Sequence, residues 1–209
     1  MKKIILVAVS IVFLVAGIAS ADTIKFGGSY TNTIYSIVDG VQKVEGGGSI
    51  DVSYLNGTKL NYLYCVDIFT NVNVPATYYA DVNSDGKIYG SSLNNAGKVA
   101  WLLSHYGTAG QDDKAYALQA AIWHEVYLGT AHSYILDTAK SSAAQVNLYN
   151  SYLFALGDNT GNVNDFLWIS PANGGFLQGQ VGAVPEPASM LLFGLGLLGL
   201  AGLRRKLKK

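Results

Sequence analysis

The stretch YALQAAIWHEV, Tyr116 to Val126, decides how the middle of this chain folds. At helical spacing, Ala115, Leu118, Gln119, Ile122, Trp123 and Val126 fall on one face, at i, i+3, i+4 and i+7. That face has to pack inward. It carries a glutamine, and a buried carboxamide without partners costs free energy. The fold must therefore supply a partner for Gln119.

Two further helices flank this one. SLNNAGKVAWLLSHYG puts Ala96, Val99, Ala100 and Leu103 on one stripe and stops at Gly107. SAAQVNLYNSYLFALG ends at Gly157. The central helix starts at Asp112 and Asp113, carboxylates suited to a positive helix N-terminus, and stops at Gly129. Upstream, from Thr23 to Cys65, the chain reads as strands. SYTNTIYSIV and GGSIDVSYL alternate apolar and polar residues, and Asn56-Gly57 marks a hairpin whose second strand is TKLNYLYCVDIF. Cys65 sits near the end of that strand, on the face opposite Tyr62 and Tyr64. TYYADV reads as a strand, DVNSDGKIYG as a loop, and DFLWIS and FLQGQVG as two strands around a turn at Pro171–Gly175. The expected class is α+β, strand-rich at the N-terminal end, with a helical insertion carrying Gln119. The expected domain covers 22–178, with 179–187 as a linker.

The two ends read as processing signals. Met1 to Ala21 has Lys2 and Lys3, an apolar run from Ile4 to Ile18, and a small-x-small site at Ala19-Ser20-Ala21. This pattern is a secretory signal peptide over 1–21. The other end, 188–209, has an apolar stretch from Ala188 to Leu203 and a basic cluster from Arg204 to Lys209. Sixteen helical residues span about 24 Å, short of the ~30 Å hydrocarbon core. The basic end should stay cytoplasmic. Val184-Pro185-Glu186-Pro187, the apolar run and Arg204-Arg205-Lys206, in that order, resemble the PEP-CTERM sorting signal of Gram-negative bacteria. The resemblance implies handling by an exosortase, transient contact with the inner membrane, and delivery to the envelope or extracellular matrix.

Charge excludes one class of partner. Seven of the fourteen basic residues lie in the two ends, so residues 22–187 hold seven Lys/Arg against fourteen Asp/Glu, a net charge of −7. A domain this acidic is a poor nucleic-acid binder.

The chain has one cysteine, so it forms no internal disulfide. Tyr64-Cys65-Val66-Asp67, followed by Leu118-Gln119-Ala120-Ala121-Ile122-Trp123, resembles the thioester domain of bacterial surface proteins over residues 25 to 170. The resemblance implies a covalent bond from the Cys65 sulfur to the side-chain carbonyl of Gln119, with loss of ammonia. It explains both oddities, since the product has no carboxamide NH₂ to satisfy and no thiol to oxidise. It also implies attachment: an amine or hydroxyl of another molecule attacks the acyl group and frees the thiol. That event happens once, so the chain is expected not to be an enzyme, and no cofactor is implied. Tyr64, Asp67, Ile122 and Trp123 are the candidate pocket residues. Trp123 would shield the bond from water or serve as a plain core aromatic. Asp67 would orient the site or hydrogen-bond a turn.

Three other readings compete. Cys65 could be a hydrolase nucleophile with His105, His124 or His132 as base, although such a site has no use for Gln119. His124 lies about 140° around the helix from Gln119. The chain could instead be a passive matrix protein that binds polysaccharide through its tyrosines. Finally, Asp81, Asn83 and Asp85 match the first half of a calcium loop, but its twelfth position is Ser92 rather than glutamate.

Overall fold

The computed structural model describes residues 21–28, 33–50, 52–172 and 177–184. They form an α+β fold. The first strands are β1 (Asp22–Phe26), β2 (Thr33–Val38) and β3 (Val41–Gly46). β4 (Tyr54–Leu55) and β5 (Thr58–Lys59) make the expected hairpin. Asn56 and Gly57 turn it with φ of 50° and 79°, the left-handed pair that such turns require. Next come β6 (Leu63–Cys65), β7 (Ala76–Asn83), β8 (Lys87–Ile88) and β9 (Ser91–Ser92). The helices are α1 (Ala96–Tyr106), α2 (Asp113–Tyr127) and α3 (Ala143–Leu156), with β10 (Tyr134–Leu136) between the last two. β11 (Phe166–Pro171) and β12 (Gln180–Ala183) complete the described chain.

Seven strands pair antiparallel in the order β5-β4-β1-β7-β11-β12-β6. A second sheet has the order β10-β2-β3, and β8 and β9 pair as a separate ribbon. Each helix begins where its polar residues dictate. The Asp112 side chain accepts from Ala115 N and caps α2, and Ser142 and Gln145 form a capping box at α3. α1 lacks a side-chain cap of its own. Instead Asn94 Nδ2 donates to Val126 O at 2.9 Å and Asn95 Nδ2 to Glu125 O at 2.9 Å, tying the start of α1 to the end of α2.

α2 is buried nearly all round. Every residue from Ala115 to Trp123 is buried, together with Glu125 and Val126. It packs against α1, α3, β2, β6 and β10. The inward stripe read from sequence is therefore correct but too narrow.

Two boundaries differ from the sequence reading. TKLNYLYCVDIF is not one strand: β5 ends at Lys59 and β6 begins at Leu63. More important, 179–187 is not a linker throughout. Residues 180–183 are β12, an interior strand of the large sheet between β11 and β6. Its small residues reflect crowding rather than flexibility. A Cβ on Gly179 would meet Ile88 Cγ2 at 2.6 Å, and one on Gly182 would meet the Tyr62 carbonyl oxygen at 3.0 Å. The domain therefore runs at least to Ala183. Residues 1–20 of the expected signal peptide (1–21), the Pro185-Glu186-Pro187 motif and the expected sorting helix lie outside the described residues. Among the described residues no helix is long and apolar enough to cross a membrane.

Candidate functional site

β6 is the edge strand of the large sheet, so one side of its backbone has no strand neighbour. Cys65 is opposite Gln180 on β12. Val66 N donates to Gly179 O at 3.0 Å, so the ladder bonds lie beside Cys65 and not on it. Such non-hydrogen-bonded pairs hold their side chains closest. The backbone N–H and C=O of Cys65 point instead toward α2, where Gln119 meets them. Cys65 N donates to Gln119 Oε1 at 3.0 Å, and Gln119 Nε2 donates to Cys65 O at 2.7 Å. Gln119 is fully buried. Its carboxamide takes the place of the missing strand, and this is the partner that the sequence required.

The thiol points elsewhere. Cys65 Sγ contacts Gln178 Oε1 at 2.8 Å, a close approach for sulfur and oxygen. The Gln178 carboxamide is held at its other end by the Asp67 carbonyl, which accepts from Nε2. Gln180 Nε2 lies 3.4 Å from Gln178 Oε1 and 3.4 Å from Gln178 O. Three glutamine side chains thus surround Cys65: Gln119 on its backbone, Gln178 at its sulfur and Gln180 behind Gln178. Cys65 and Gln180 are at most 1 % exposed, and Gln178 is 7 % exposed.

The pocket residues expected from sequence divide into supports and core. Asp67 fills both roles considered for it. Its carboxylate accepts from Phe69 N at 2.8 Å and Thr70 Oγ1 at 2.6 Å, closing the turn after β6. The same carboxylate accepts from the hydroxyls of Tyr89 (3.1 Å) and Tyr127 (3.3 Å), while its backbone carbonyl orients Gln178. The Tyr89 hydroxyl also lies 2.7 Å from Leu177 O, so its single proton is shared between that carbonyl and Asp67, and the contact pins the backbone just before Gln178. Burial pushes the Tyr89 phenol up to about 12, so it stays a hydrogen-bond donor at neutral pH. Tyr64 donates to Thr108 O at 2.7 Å and fixes β6 against the loop before α2. Ile122 is a core residue. Trp123 packs on Tyr134 of the smaller sheet, with ring centroids 5.7 Å apart. It serves as a core aromatic.

His105 and His124 are engaged away from this cluster, while His132 lines the cleft beside Asp67 and Tyr89. His105 stacks on Trp101, His124 Nδ1 meets the Tyr149 hydroxyl at 2.9 Å, and His132 pairs with Asp39. The half calcium loop is likewise occupied. Asn83 Oδ1 accepts from the backbone N–H groups of Asp85 and Lys87, and Asp85 is ion-paired with Lys87. Among the described residues no group of three His, Cys, Asp or Glu side chains is placed to hold a metal ion.

Sequence reasoning missed Gln178, Gln180, Tyr89 and Tyr78. The signal available for the glutamines was their spacing in FLQGQVG: residues two apart on a strand share a face. Tyr78 has a buried hydroxyl with no hydrogen-bond partner among the described residues. Burial raises its phenol pKa, and proximity to Cys65 raises it further. Two clefts border the cluster. One of about 490 Å³ is lined by Tyr78, Pro171 and Leu177. The other, of about 270 Å³, is lined by Val66, Asp67, Ile88, Tyr89 and Tyr127.

No curated protein and no solved structure gives a significant match to the chain. Two family matches do stand. Residues 62–158 match the Thioester domain, a span that includes Cys65 and Gln119 but ends before Gln178. Residues 183–206 match the PEP-CTERM protein-sorting motif, which implies processing by an exosortase and export to the envelope or surface. The chain therefore carries a thioester domain and a PEP-CTERM sorting motif, the make-up of an exported surface protein.

Proposed function

We propose that this protein attaches covalently to amine- or hydroxyl-bearing molecules at the cell surface or in the biofilm matrix. The attachment runs through an internal thioester at Cys65 whose acyl group comes from Gln178 rather than Gln119. The observation that carries this reading is the 2.8 Å contact between Cys65 Sγ and Gln178 Oε1, set against the Gln119 carboxamide tied to the Cys65 backbone.

The chemistry balances without a cofactor. The Cys65 sulfur adds to the side-chain carbon of Gln178. The C–N bond breaks, and the NH₂ held by the Asp67 carbonyl leaves as ammonia with the thiol proton. The product is a thioester in a site nearly closed to water, which slows hydrolysis. An incoming amine then attacks the same carbon, forms an amide and returns a proton to the Cys65 sulfur as thiol. Each molecule reacts once, so the protein is an attachment device and not a turnover enzyme. Using Gln119 instead would remove the N–H that satisfies the Cys65 carbonyl, leaving a buried acceptor unpaired at a cost of about 1–3 kcal/mol.

The test is methylamine treatment of the purified protein. It should add one methylamine and release one titratable thiol, and Cys65→Ala should abolish both changes and attachment to the target surface. Attachment that persists in Cys65→Ala would favour a passive polysaccharide-binding matrix protein.

A further inference from the structure

Gln180 has no evident structural reason to be a glutamine. It is fully buried on an interior strand, and its Oε1 has no hydrogen-bond partner among the described residues. A buried orphan oxygen of this kind costs about 1–3 kcal/mol, and methionine would fill the same space without it. Its nitrogen faces two oxygens, Gln178 O and Gln178 Oε1, each at 3.4 Å. That fixes the orientation of the amide, because an oxygen placed there would meet two acceptors.

We propose that Gln180 is a catalytic residue for both thioester formation and opening, donating from Nε2 to Gln178 Oε1 as that atom becomes an oxyanion. The proposal rests on Gln178 as the acyl donor. Either the Cys65 sulfur or an incoming amine converts the carbonyl carbon to a tetrahedral centre, and the oxygen takes the electron pair of the C=O bond. The negative charge needs a donor already in place. The Cys65 backbone N–H cannot supply it, because that group donates to Gln119 Oε1. Gln180 Nε2 is within reach and shielded from water, where an aimed dipole acts most strongly. A contact that is long on the ground-state carbonyl can tighten as charge develops. When the centre collapses, the charge returns to the carbonyl and either ammonia or the Cys65 sulfur departs.

The experiment compares the exported protein with Gln180→Met. Wild type is read first, by intact mass and by peptide mapping of the bond. Without a bond in wild type, the underlying thioester reading fails, and that result is visible before any variant is considered. With a Cys65–Gln178 bond in wild type, Gln180→Met should slow the reaction with methylamine about 10²- to 10³-fold. Its Tm should be unchanged or higher, because a buried orphan oxygen has gone. A merely structural role would lower Tm and leave the rate of the bonded fraction alone. A folded variant that forms no bond also supports the proposal, since formation passes through the same oxyanion. Should Gln180→Met fail to fold, Gln180→Asn, which withdraws the amide by one methylene, is expected to show the same slowing. A wild-type rate in a folded variant, or a bond mapped to Gln180 itself, overturns the proposal.

Discussion

The carboxamide of Gln119 bridges the backbone of Cys65, accepting from its N–H at 3.0 Å and donating to its carbonyl at 2.7 Å. The residue that marks the family's helix motif therefore completes an edge strand. It holds the Cys65 main chain, while the Cys65 sulfur meets Gln178 Oε1 at 2.8 Å.

Gln119 and Gln178 should separate cleanly by substitution. Gln119→Leu strands a buried N–H and a buried carbonyl on β6, and should cost about 2–5 kcal/mol in denaturant unfolding. Gln178→Ala removes a buried side chain that leaves the β6 backbone pairing intact and frees one partly buried acceptor, the Asp67 carbonyl, so it should cost less, about 1–2 kcal/mol. Its intact mass, however, should be that of the unmodified sequence, with a free thiol. Equal stability losses in the two variants would contradict this division of labour.

The domain boundary gives a second prediction. Residues 22–178 alone lack β12, which removes the only strand partner of β6 and leaves one edge of β11 bare. That fragment should not fold, whereas 22–184 should give a cooperative melt. Circular dichroism of the two fragments decides the point.

Crowding along β12 gives a third. Gly182→Ala brings a Cβ to 3.0 Å from the Tyr62 carbonyl, a backbone atom that cannot swing aside. The variant should lose about 1–3 kcal/mol and form less of the thioester, because the β12–β6 spacing sets the Gln178–Cys65 approach. Thermal melts and the bonded fraction by mass should fall together.

A fourth concerns pH. Burial holds the His124 imidazole below its ordinary value of 6.5, so the folded state resists taking up the proton. Just below 6.5 the unfolded chain binds more protons than the folded one. Stability from this group is therefore present above 6.5 and is lost as pH falls toward the depressed folded value. His124→Gln should flatten the fall in Tm between neutral pH and the acid side of that window.

Much of this fold was legible in the sequence. The α2 stripe, the Asn56-Gly57 turn and the stop glycines are local signals, and all three appear where the pattern placed them. The partnership of Cys65 with Gln119 was legible too, but which of their atoms meet was not. Periodicity says that Gln119 points inward. It does not say whether the carboxamide meets a sulfur or a backbone. Gln178 and Gln180 were hidden by composition: the glycines at 179 and 182 imitate a linker, while the packing of Ile88 and the Tyr62 carbonyl, far off in sequence, is what requires them. Strand order is a long-range property, and without it Gln178 has no visible neighbour at position 65.

The most direct test is peptide mapping of the purified protein by mass spectrometry under mildly acidic conditions that preserve thioesters. The expected intact mass is about 17 Da below the sequence value, one ammonia lost, with the Cys65 peptide joined to the peptide that holds Gln178. Cys65 joined to Gln119 would contradict the assignment of the acyl donor. An unmodified mass with a free thiol at Cys65 would contradict the covalent account altogether.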